Sequence, residues 1–313
     1  MNSKNLYLYN SIVLAGPTAT GKTALAIKLA KKFNGEVITV DSAQVYKGMD
    51  IGTAKPSLAE MDGVLHHLID VHDVDKPFNV ATFVEHVDQV LKDIFSRGKI
   101  PIFAGGTGMY FQAIIEGLPI TPPANLSVRA RLELLSTEEL WELLCKKDPA
   151  YAETITFNDR HKILRANEIL ITTQQKISTQ KARYKTQECA KLSCKAYFIY
   201  RPRPILYQRL NDRAKFMCEN GLLQEVESLI CKGIELNHSA KKAIAYQQPL
   251  RYLKGEISYE KMLEELQQAN RNYAKRQFTW FKRFDYYEPV DLELISDDQF
   301  LSKVHEDLFK SDH

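Results

Sequence analysis

Short apolar runs and helical periodicity alternate over the first 117 residues of the chain. Apolar stretches rich in β-branched residues at 11–15, 36–41 and 99–104 predict three strands. Between them, apolar residues recur at helical spacing over 24–33 and 83–95. Strands that alternate with helices favour a parallel sheet, which binds ligands at the carboxyl ends of its strands.

The pattern changes from about residue 119. A break at Pro122 and Pro123 precedes a region, extending to about residue 192, that has helical periodicity and no good strand. The region is rich in polar and basic residues, and we interpret it as a helical insertion.

The last third of the chain predicts a return to the sheet and then long helices. A strand is predicted at 195–200, helical stretches at 203–230 and 259–284, and a final strand at 286–288. The polar, acidic tail after Asp297 is predicted to fray.

A phosphate-loop motif, G-x-x-x-x-G-K-[ST], joins the first predicted strand to the first predicted helix. Backbone N–H groups of such a loop and the start of the helix hold phosphate oxygens, Lys22 reaches the outer phosphates, and the Thr23 hydroxyl can ligate Mg²⁺. The residues predicted to bind phosphate are Gly16, Pro17, Thr18, Ala19, Thr20, Gly21, Lys22 and Thr23. The motif alone is shared by kinases, NTPases and diphosphate-using transferases.

These patterns predict an α/β fold with a P-loop parallel sheet core flanked by helices and a mostly helical insertion domain. The core comprises 1–120 and 193–313, with the C-terminal helices, and the insertion comprises 121–192.

Two polar residues follow predicted strands at the edge that carries the phosphate loop. Asp41 ends the second strand, and Thr107 lies in the Gly-Gly-Thr-Gly segment after the third. Asp41 can hold the Mg²⁺ shell or act as a general base, and the sequence does not separate these roles. The alternative is a cap for the backbone that follows.

Composition excludes several classes of protein. No apolar run in the 313 residues approaches the length of a membrane span, and residues 1–10 lack the features of a secretory signal, so we expect a cytoplasmic protein without membrane contact. The five cysteines are scattered and odd in number, which predicts neither a disulfide framework nor a zinc site. We expect a monomer.

The net charge of +3 is modest, but basic residues cluster in two segments. In the insertion, one acidic residue, Glu168, stands among Arg160, Lys162, Arg165, Lys176, Lys181, Arg183 and Lys185. A helix over 270–284 is predicted to have a basic face of Arg271, Lys275, Arg276, Lys282 and Arg283, backed by Tyr273, Trp280, Phe281 and Phe284. Two such patches indicate a polyanion footprint, and solvated helix faces are the alternative.

Arg209 and Arg213 are four residues apart and therefore share a helix face. Their forked guanidinium groups are suited to a diphosphate, although surface salt bridges would use them equally well. Adjacent histidines, His66 and His67, point in different directions on a regular element, which favours packing over metal binding.

Several motifs together resemble the tRNA dimethylallyltransferase (tRNA isopentenyltransferase) family over nearly the whole chain. The resemblance is carried by GPTATGKT at 16–23, DSAQVYKGMDIGTAKP at 41–56, HHLID at 66–70, GGTGMY at 105–110, GLLQEVESL at 221–229 and YAKRQFTWFKR at 273–283. It implies transfer of a dimethylallyl group from dimethylallyl diphosphate, with Mg²⁺, to the N6 amine of the adenosine 3′ to the anticodon. The tRNAs would be those that read codons beginning with U, and the insertion would bind the anticodon stem-loop.

The resemblance also implies roles for single residues. It gives catalytic roles to Asp41, Lys22, Thr23, Thr107 and Arg213, and a diphosphate contact to Arg209 beside the loop. It gives tRNA contacts to Asp41, Ser42, Ala43, Gln44, Thr107, Arg129, His161, Lys162, Arg165, Lys242, Tyr246, Gln247, Arg271, Lys275 and Arg276. The chain departs from the family pattern at 160–168, 245–247 and 270–271, which concerns tRNA contacts, and it lacks the zinc finger of eukaryotic members. We therefore expect a bacterial or organellar type of enzyme.

Three alternatives remain from the sequence. A small-molecule kinase would use the same loop for ATP but leaves the basic helices without a role. A nucleotide-controlled RNA-binding switch would make the Asp41 and Thr107 crevice incidental. Prenylation of free adenine nucleotides would share the core but not require the basic helices.

Overall fold

Six parallel strands form one sheet in the order β3-β2-β4-β1-β5-β6. The computed structural model describes residues 11–117, 122, 124–179 and 195–309. The strands are β1 Ile12–Ala15, β2 Gly35–Val40, β3 His66–His67, β4 Ile100–Gly105, β5 Lys195–Tyr200 and β6 Glu288–Asp291. The parallel α/β fold predicted from the sequence is confirmed.

The register brings the loops after three strands to one edge of the sheet. Ala15, at the end of β1, pairs with Gly105 at the end of β4, which in turn pairs with Val40 at the end of β2. β1 is central and buried throughout. The phosphate loop, Asp41 and Thr107 therefore all start from the same level of the sheet.

The chain divides into two compact units, 1–115 with 192–313 and 116–191. The sequence-based boundaries of the insertion, 121 and 192, lie within a few residues of these. The described helices of the sheet unit are α1 Lys22–Phe33, α2 Leu58–Met61, α3 Val80–Ser96, α4 Gly108–Glu116 (which runs into the second unit), α9 Arg203–Glu219, α10 Leu222–Cys231, α11 His238–Lys241, α12 Ile244–Leu253, α13 Tyr259–Phe281 and α14 Asp297–Phe309, with a 3-10 turn at Ile234–Leu236.

The second unit has its own small core. Its described helices are α5 Leu126–Glu133, α6 Thr137–Lys147, α7 Pro149–Ala152 and α8 Arg160–Thr173. Leu140, Leu144 and Ile163 are fully buried in its hydrophobic cluster. Ser136 caps α6 in a capping box with Glu139, which satisfies backbone donors that begin the helix.

Two predicted elements differ from the structure near the end of the chain. The helical stretch at 203–230 is interrupted because Gly221 adopts φ +103°, a left-handed conformation that ends α9 and starts α10. The last strand is Glu288–Asp291, two residues later than its predicted start, and Tyr287 before it is buried.

The prediction that the tail frays after Asp297 is wrong. That segment forms α14, in which Phe300 and Val304 are fully buried against the sheet. The Tyr197 hydroxyl of β5 donates to the Asp307 carboxylate at 2.7 Å. The apolar side chains of α14 are spaced four residues apart, which is the pattern of an amphipathic helix, but the acidic residues between them made the segment look like a polar tail.

The two adjacent histidines form β3 and have separate partners. His67 Nε2 lies 2.7 Å from an oxygen of the buried Glu36 carboxylate, and His66 Nδ1 lies 3.0 Å from the Val64 carbonyl oxygen. Burial of Glu36 opposes its ionisation, but hydrogen bonds from Arg97, His67 and Lys99 outweigh burial and lower its pKa to about 2. Glu36 is the second residue of β2, so this charge cluster lies at the edge of the sheet opposite the phosphate loop.

No helix among the described residues is both long enough and apolar enough to cross a membrane.

Candidate active site

Two positions of the phosphate loop, residues 16–23, favour glycine, one because of close approach to a neighbouring strand and one because of its positive φ angle. A Cβ at Gly16 would lie 2.1 Å from the Ile199 carbonyl oxygen of β5. Gly21 has φ +104° and forms the N-terminal cap of α1. The Gly16 N–H donates to the Gly105 carbonyl oxygen at 3.2 Å, which fixes the loop to the end of β4. The first turn of α1 follows directly, as an anion-binding loop requires.

The Lys22 ammonium is buried against oxygens of its own loop. It donates to the Pro17 carbonyl and, at 3.3 Å, to the Thr20 hydroxyl. Burial and the nearby Arg213 guanidinium lower the pKa of Lys22 to about 7, and the Asp41 carboxylate opposes this shift. The loop therefore contains a cation whose charge is marginal near neutral pH.

Three arginines hold the phosphate loop from outside. Arg213 Nη1 donates to the Thr18 hydroxyl at 2.9 Å, and Arg209 Nε donates to the Ala19 carbonyl oxygen at 2.8 Å. Neither takes part in a salt bridge among the described residues, which disfavours the surface-pair alternative. Arg201 Nε donates to the Thr20 carbonyl oxygen at 2.9 Å, and sequence reasoning missed it. α9 thus places the Arg209 and Arg213 side chains at the loop.

Asp41 and Thr107 lie in adjacent loops that are bonded to each other. Asp41 Oδ1 accepts hydrogen bonds from the N–H groups of Ala43 at 2.8 Å and Gln44 at 3.2 Å. The Ser42 N–H donates to the Thr107 hydroxyl oxygen at 3.1 Å. Asp41 therefore caps the backbone that follows it, as the alternative interpretation expected, but with only one carboxylate oxygen. The capped segment is a turn, and no helix follows it. Asp41 still affects the Lys22 charge, so both belong to one electrostatic site.

Gln277, on α13, connects the two loops, and sequence reasoning missed it. Its Oε1 accepts from the Thr18 N–H at 3.1 Å, and its Nε2 donates to the Gly106 carbonyl oxygen at 2.9 Å. A Cβ at Gly106 would lie 2.2 Å from that Nε2, which explains the glycine there. The sequence did carry a signal for Gln277, because this polar residue lies on the buried face of the helix, between Ala274 and Phe281.

The basic face predicted for the C-terminal helix is largely present on α13 and just beyond it. Lys275 and Arg276 are exposed, and Arg276 lies over the Tyr273 ring at 5.6 Å from its centroid. Arg271 is half-buried and donates to Asn211 Oδ1 at 2.6 Å and to Gln268 Oε1 at 2.7 Å. Exposed cations backed by aromatic rings suit a nucleic-acid backbone.

The turn around 242–247 is only partly available to a partner. Lys242 and Gln247 are exposed, and Gln247 Nε2 donates to the Lys242 carbonyl oxygen at 2.7 Å. Tyr246 is fully buried and its hydroxyl donates to Glu225 at 2.7 Å. The Tyr246 side chain is therefore not exposed in this structure, and its RNA contact stays a prediction.

In the second unit, two predicted RNA contacts pair with an acid. Glu168 is buried and forms ion pairs with Arg165 at 3.0 Å and Arg129 at 3.4 Å. His161 and Lys162 are exposed at the start of α8, where Lys162 pairs with Asp159 at 2.5 Å. Lys181, Arg183 and Lys185 of the predicted basic patch lie outside the described residues.

The donor set beside the phosphate loop fits Mg²⁺, which prefers oxygen ligands and keeps several waters. Thr23 places a hydroxyl at the exposed start of α1, and Asp41 engages one carboxylate oxygen in its turn. The described residues contain no cluster of three or more His, Cys, Asp or Glu side chains arranged for a metal. Thr23 and Asp41 are therefore the residues beside the loop that would hold a Mg²⁺ ion.

Comparisons with known proteins agree on one family. The IPP transferase family model matches residues 44–284. The chain is 43% identical over 292 residues to a tRNA dimethylallyltransferase of Protochlamydia amoebophila, covering 90% of this chain and 84% of that protein.

Two solved structures also resemble this one. The tRNA delta(2)-isopentenylpyrophosphate transferase from Staphylococcus epidermidis has a TM-score of 0.70 and 38% identity, covering 96% of this chain and 98% of its own. A eukaryotic dimethylallyltransferase acting on tRNA has a TM-score of 0.79 and 29% identity, covering 95% of this chain and 78% of its own.

Proposed function

The chain belongs to the IPP transferase family, and from this premise we propose that it prenylates tRNA. The reaction moves the dimethylallyl group of dimethylallyl diphosphate to the N6 amine of the adenosine 3′-adjacent to the anticodon. The tRNAs are those that read codons beginning with U. The observation that carries the proposal is the sheet register, which brings Asp41 to the same edge as the phosphate loop, where Arg213 donates to the Thr18 hydroxyl at 2.9 Å. One crevice thus offers cations for a leaving diphosphate and a carboxylate for a proton.

On the leaving-group side, the allylic C–O bond breaks and its electron pair departs with the diphosphate. Lys22, the backbone N–H groups of the 16–23 loop and the helix start stabilise that developing charge. Arg213 and Arg209 hold the loop through Thr18 and Ala19 and lie beside the same anion. Bound Mg²⁺, held through Thr23, would supply further positive charge to the diphosphate.

On the acceptor side, a C–N bond forms at the adenine amine, which loses a proton. The amine is a weak nucleophile because its lone pair is delocalised into the ring, so proton removal assists the attack. Asp41 is held through one oxygen by Ala43 and Gln44, and its other oxygen accepts this proton. Thr107 fixes the turn from the neighbouring loop.

On the RNA side, the partner is the anticodon stem-loop of a tRNA, whose unpaired adenosine can be unstacked and inserted. Lys275 and Arg276 on α13, with Lys242 and Gln247, are exposed and contact its backbone. In the second unit, taken by itself, the exposed His161 and Lys162 are the residues that we propose to contact RNA. The enzyme acts as a cytoplasmic monomer.

The test is transfer of radiolabelled dimethylallyl from its diphosphate to unmodified tRNA. Two assays accompany it, with adenosine monophosphate as the acceptor and with ATP hydrolysis as the readout. Label in tRNA that disappears when the target adenosine is replaced is the expected result. Label in the mononucleotide alone, or ATP turnover without transfer, would overturn the proposal in favour of nucleotide prenylation or a kinase.

A further inference from the structure

The GLLQEVESL segment contains a carboxylate that no step above uses. Glu225, in the first turn of α10, accepts hydrogen bonds from three consecutive backbone N–H groups, at 2.9 Å from Asp50, 2.6 Å from Ile51 and 3.0 Å from Gly52. Three converging N–H groups form the type of backbone cradle that binds anions. In this protein the cradle is filled by the chain's own carboxylate.

The buried Tyr246 side chain holds both the Glu225 carboxylate and the loop that it binds. Its hydroxyl donates to Glu225 Oε1 at 2.7 Å, and burial together with the Glu225 charge raises its pKa, so the hydroxyl keeps the proton it donates. A Cβ at Gly52 would lie 2.5 Å from the Tyr246 ring, so only glycine lets the loop rest on the ring. Glu225 and Tyr246 together therefore fix the loop formed by residues 50–53.

The last residue of that loop, Thr53, contacts one residue that binds the phosphate loop and one residue of the Asp41 turn. The Thr53 carbonyl oxygen accepts from Arg213 Nη2 at 3.2 Å and from Gln44 Nε2 at 3.1 Å. Arg213 uses its other nitrogen for Thr18 of the phosphate loop. Gln44 belongs to the turn that holds Asp41.

We propose that Glu225 is a positioning residue that sets Arg213 and Gln44 through the 50–53 loop, without touching either substrate. Its carboxylate fixes the backbone, the Thr53 carbonyl oxygen fixes the guanidinium, and the guanidinium sits on the phosphate loop. This inference rests on the proposed function, since Arg213 is assigned there to the leaving diphosphate.

The experiment is a double-mutant cycle between Glu225→Gln and Arg213→Ala in the full chain. Glu225→Gln keeps the shape but turns an amide N–H₂ toward backbone donors. We expect kcat for transfer to fall about 30-fold in the wild-type background and less than about threefold in the Arg213→Ala background. Equal losses in both backgrounds would mean a general structural role and would overturn the inference.

Two further variants keep the test decisive. Tyr246→Phe removes one donor and should show the same non-additivity with a smaller loss, about fivefold, so it decides the matter if Glu225→Gln does not fold. Glu235→Gln is the matched control, because Glu235 pairs with Lys254 and is 44% exposed. It should change kcat less than about twofold.

Binding of inorganic diphosphate, measured by calorimetry, separates this inference from the proposed function. Its affinity should fall about tenfold in Glu225→Gln and should not fall further when Arg213 is already alanine. If the wild type binds diphosphate with this coupling but labels no tRNA, the proposed function fails and the positioning role stands. An unchanged affinity in Glu225→Gln would overturn the positioning role.

Discussion

Binding of an allylic diphosphate should take up a proton, and Lys22 should be its destination. In the free protein, burial and Arg213 lower the pKa of Lys22 to about 7. A bound diphosphate adds negative charge next to the ammonium and should raise that pKa to at least its ordinary value of 10.5. The lysine would then be protonated in the complex at every pH at which the enzyme is assayed.

The magnitude follows from the two pKa values. With a pKa of about 7 in the free protein, binding should take up about half a proton at pH 7 and about 0.9 proton at pH 8. Affinity should accordingly weaken about tenfold per pH unit between pH 7 and 10. Folding stability changes with pH in the opposite direction. The unfolded chain keeps the Lys22 proton up to its ordinary pKa of 10.5, whereas the folded protein loses it above about pH 7. The free energy of unfolding of the free protein therefore rises between pH 7 and 10.5, by ~5 kcal/mol in all.

Calorimetric titration with dimethylallyl diphosphate at pH 8, in buffers of different ionisation enthalpy, measures this uptake directly. Lys22→Arg is the matched control, because a guanidinium keeps its charge in the free protein and has no proton to gain. An uptake near zero in the wild type, or equal uptake in the two proteins, would refute the assignment to Lys22.

Three further outcomes are expected. Asp41→Asn should keep the turn but lower kcat about 100- to 10,000-fold with tRNA affinity nearly unchanged, and loss of binding with intact turnover per bound complex would contradict its role as base. Gln277→Leu should cost about 2–4 kcal/mol in urea unfolding, because the Thr18 N–H and the Gly106 carbonyl lose their partner, whereas Gln268→Leu on the same helix should stay within about 0.5 kcal/mol. Stability from Glu36, whose pKa is about 2, should be present above pH 4.5 and be lost as pH falls toward 2, and Glu36→Gln should abolish that dependence in thermal melts.

The central features of the fold and site were predictable because their signals are local. The phosphate-loop motif needs only a strand before it and a helix after it, and both are present as β1 and α1. Strand ends in a parallel sheet meet at one edge, so Asp41 and Thr107 were expected together, and the N–H of Ser42, next to Asp41, donates to the Thr107 hydroxyl at 3.1 Å. The family resemblance inferred from the motifs is confirmed by the match over 44–284.

The contacts that hold the site together have no such local signal. Gln277 bonds Thr18 across 259 positions, and Arg201 bonds Thr20 across 181. Hydrophobic periodicity ranks residues by burial and does not say which distant backbone a buried polar group will meet. The same limit applies to Tyr246, because its motif does not reveal that Glu225 and Gly52 will bury its side chain.

A polar residue on the apolar face of a helix nevertheless indicates that such a long-range contact exists. Burying a side-chain amide costs free energy unless its oxygen and its nitrogen are both hydrogen-bonded. A buried glutamine between Ala274 and Phe281 therefore implies one donor and one acceptor elsewhere in the fold. The structure places those partners in the two loops that carry the proposed chemistry. α13 therefore links an exposed basic face to the phosphate loop, and displacement of this helix would disturb both substrate sites together.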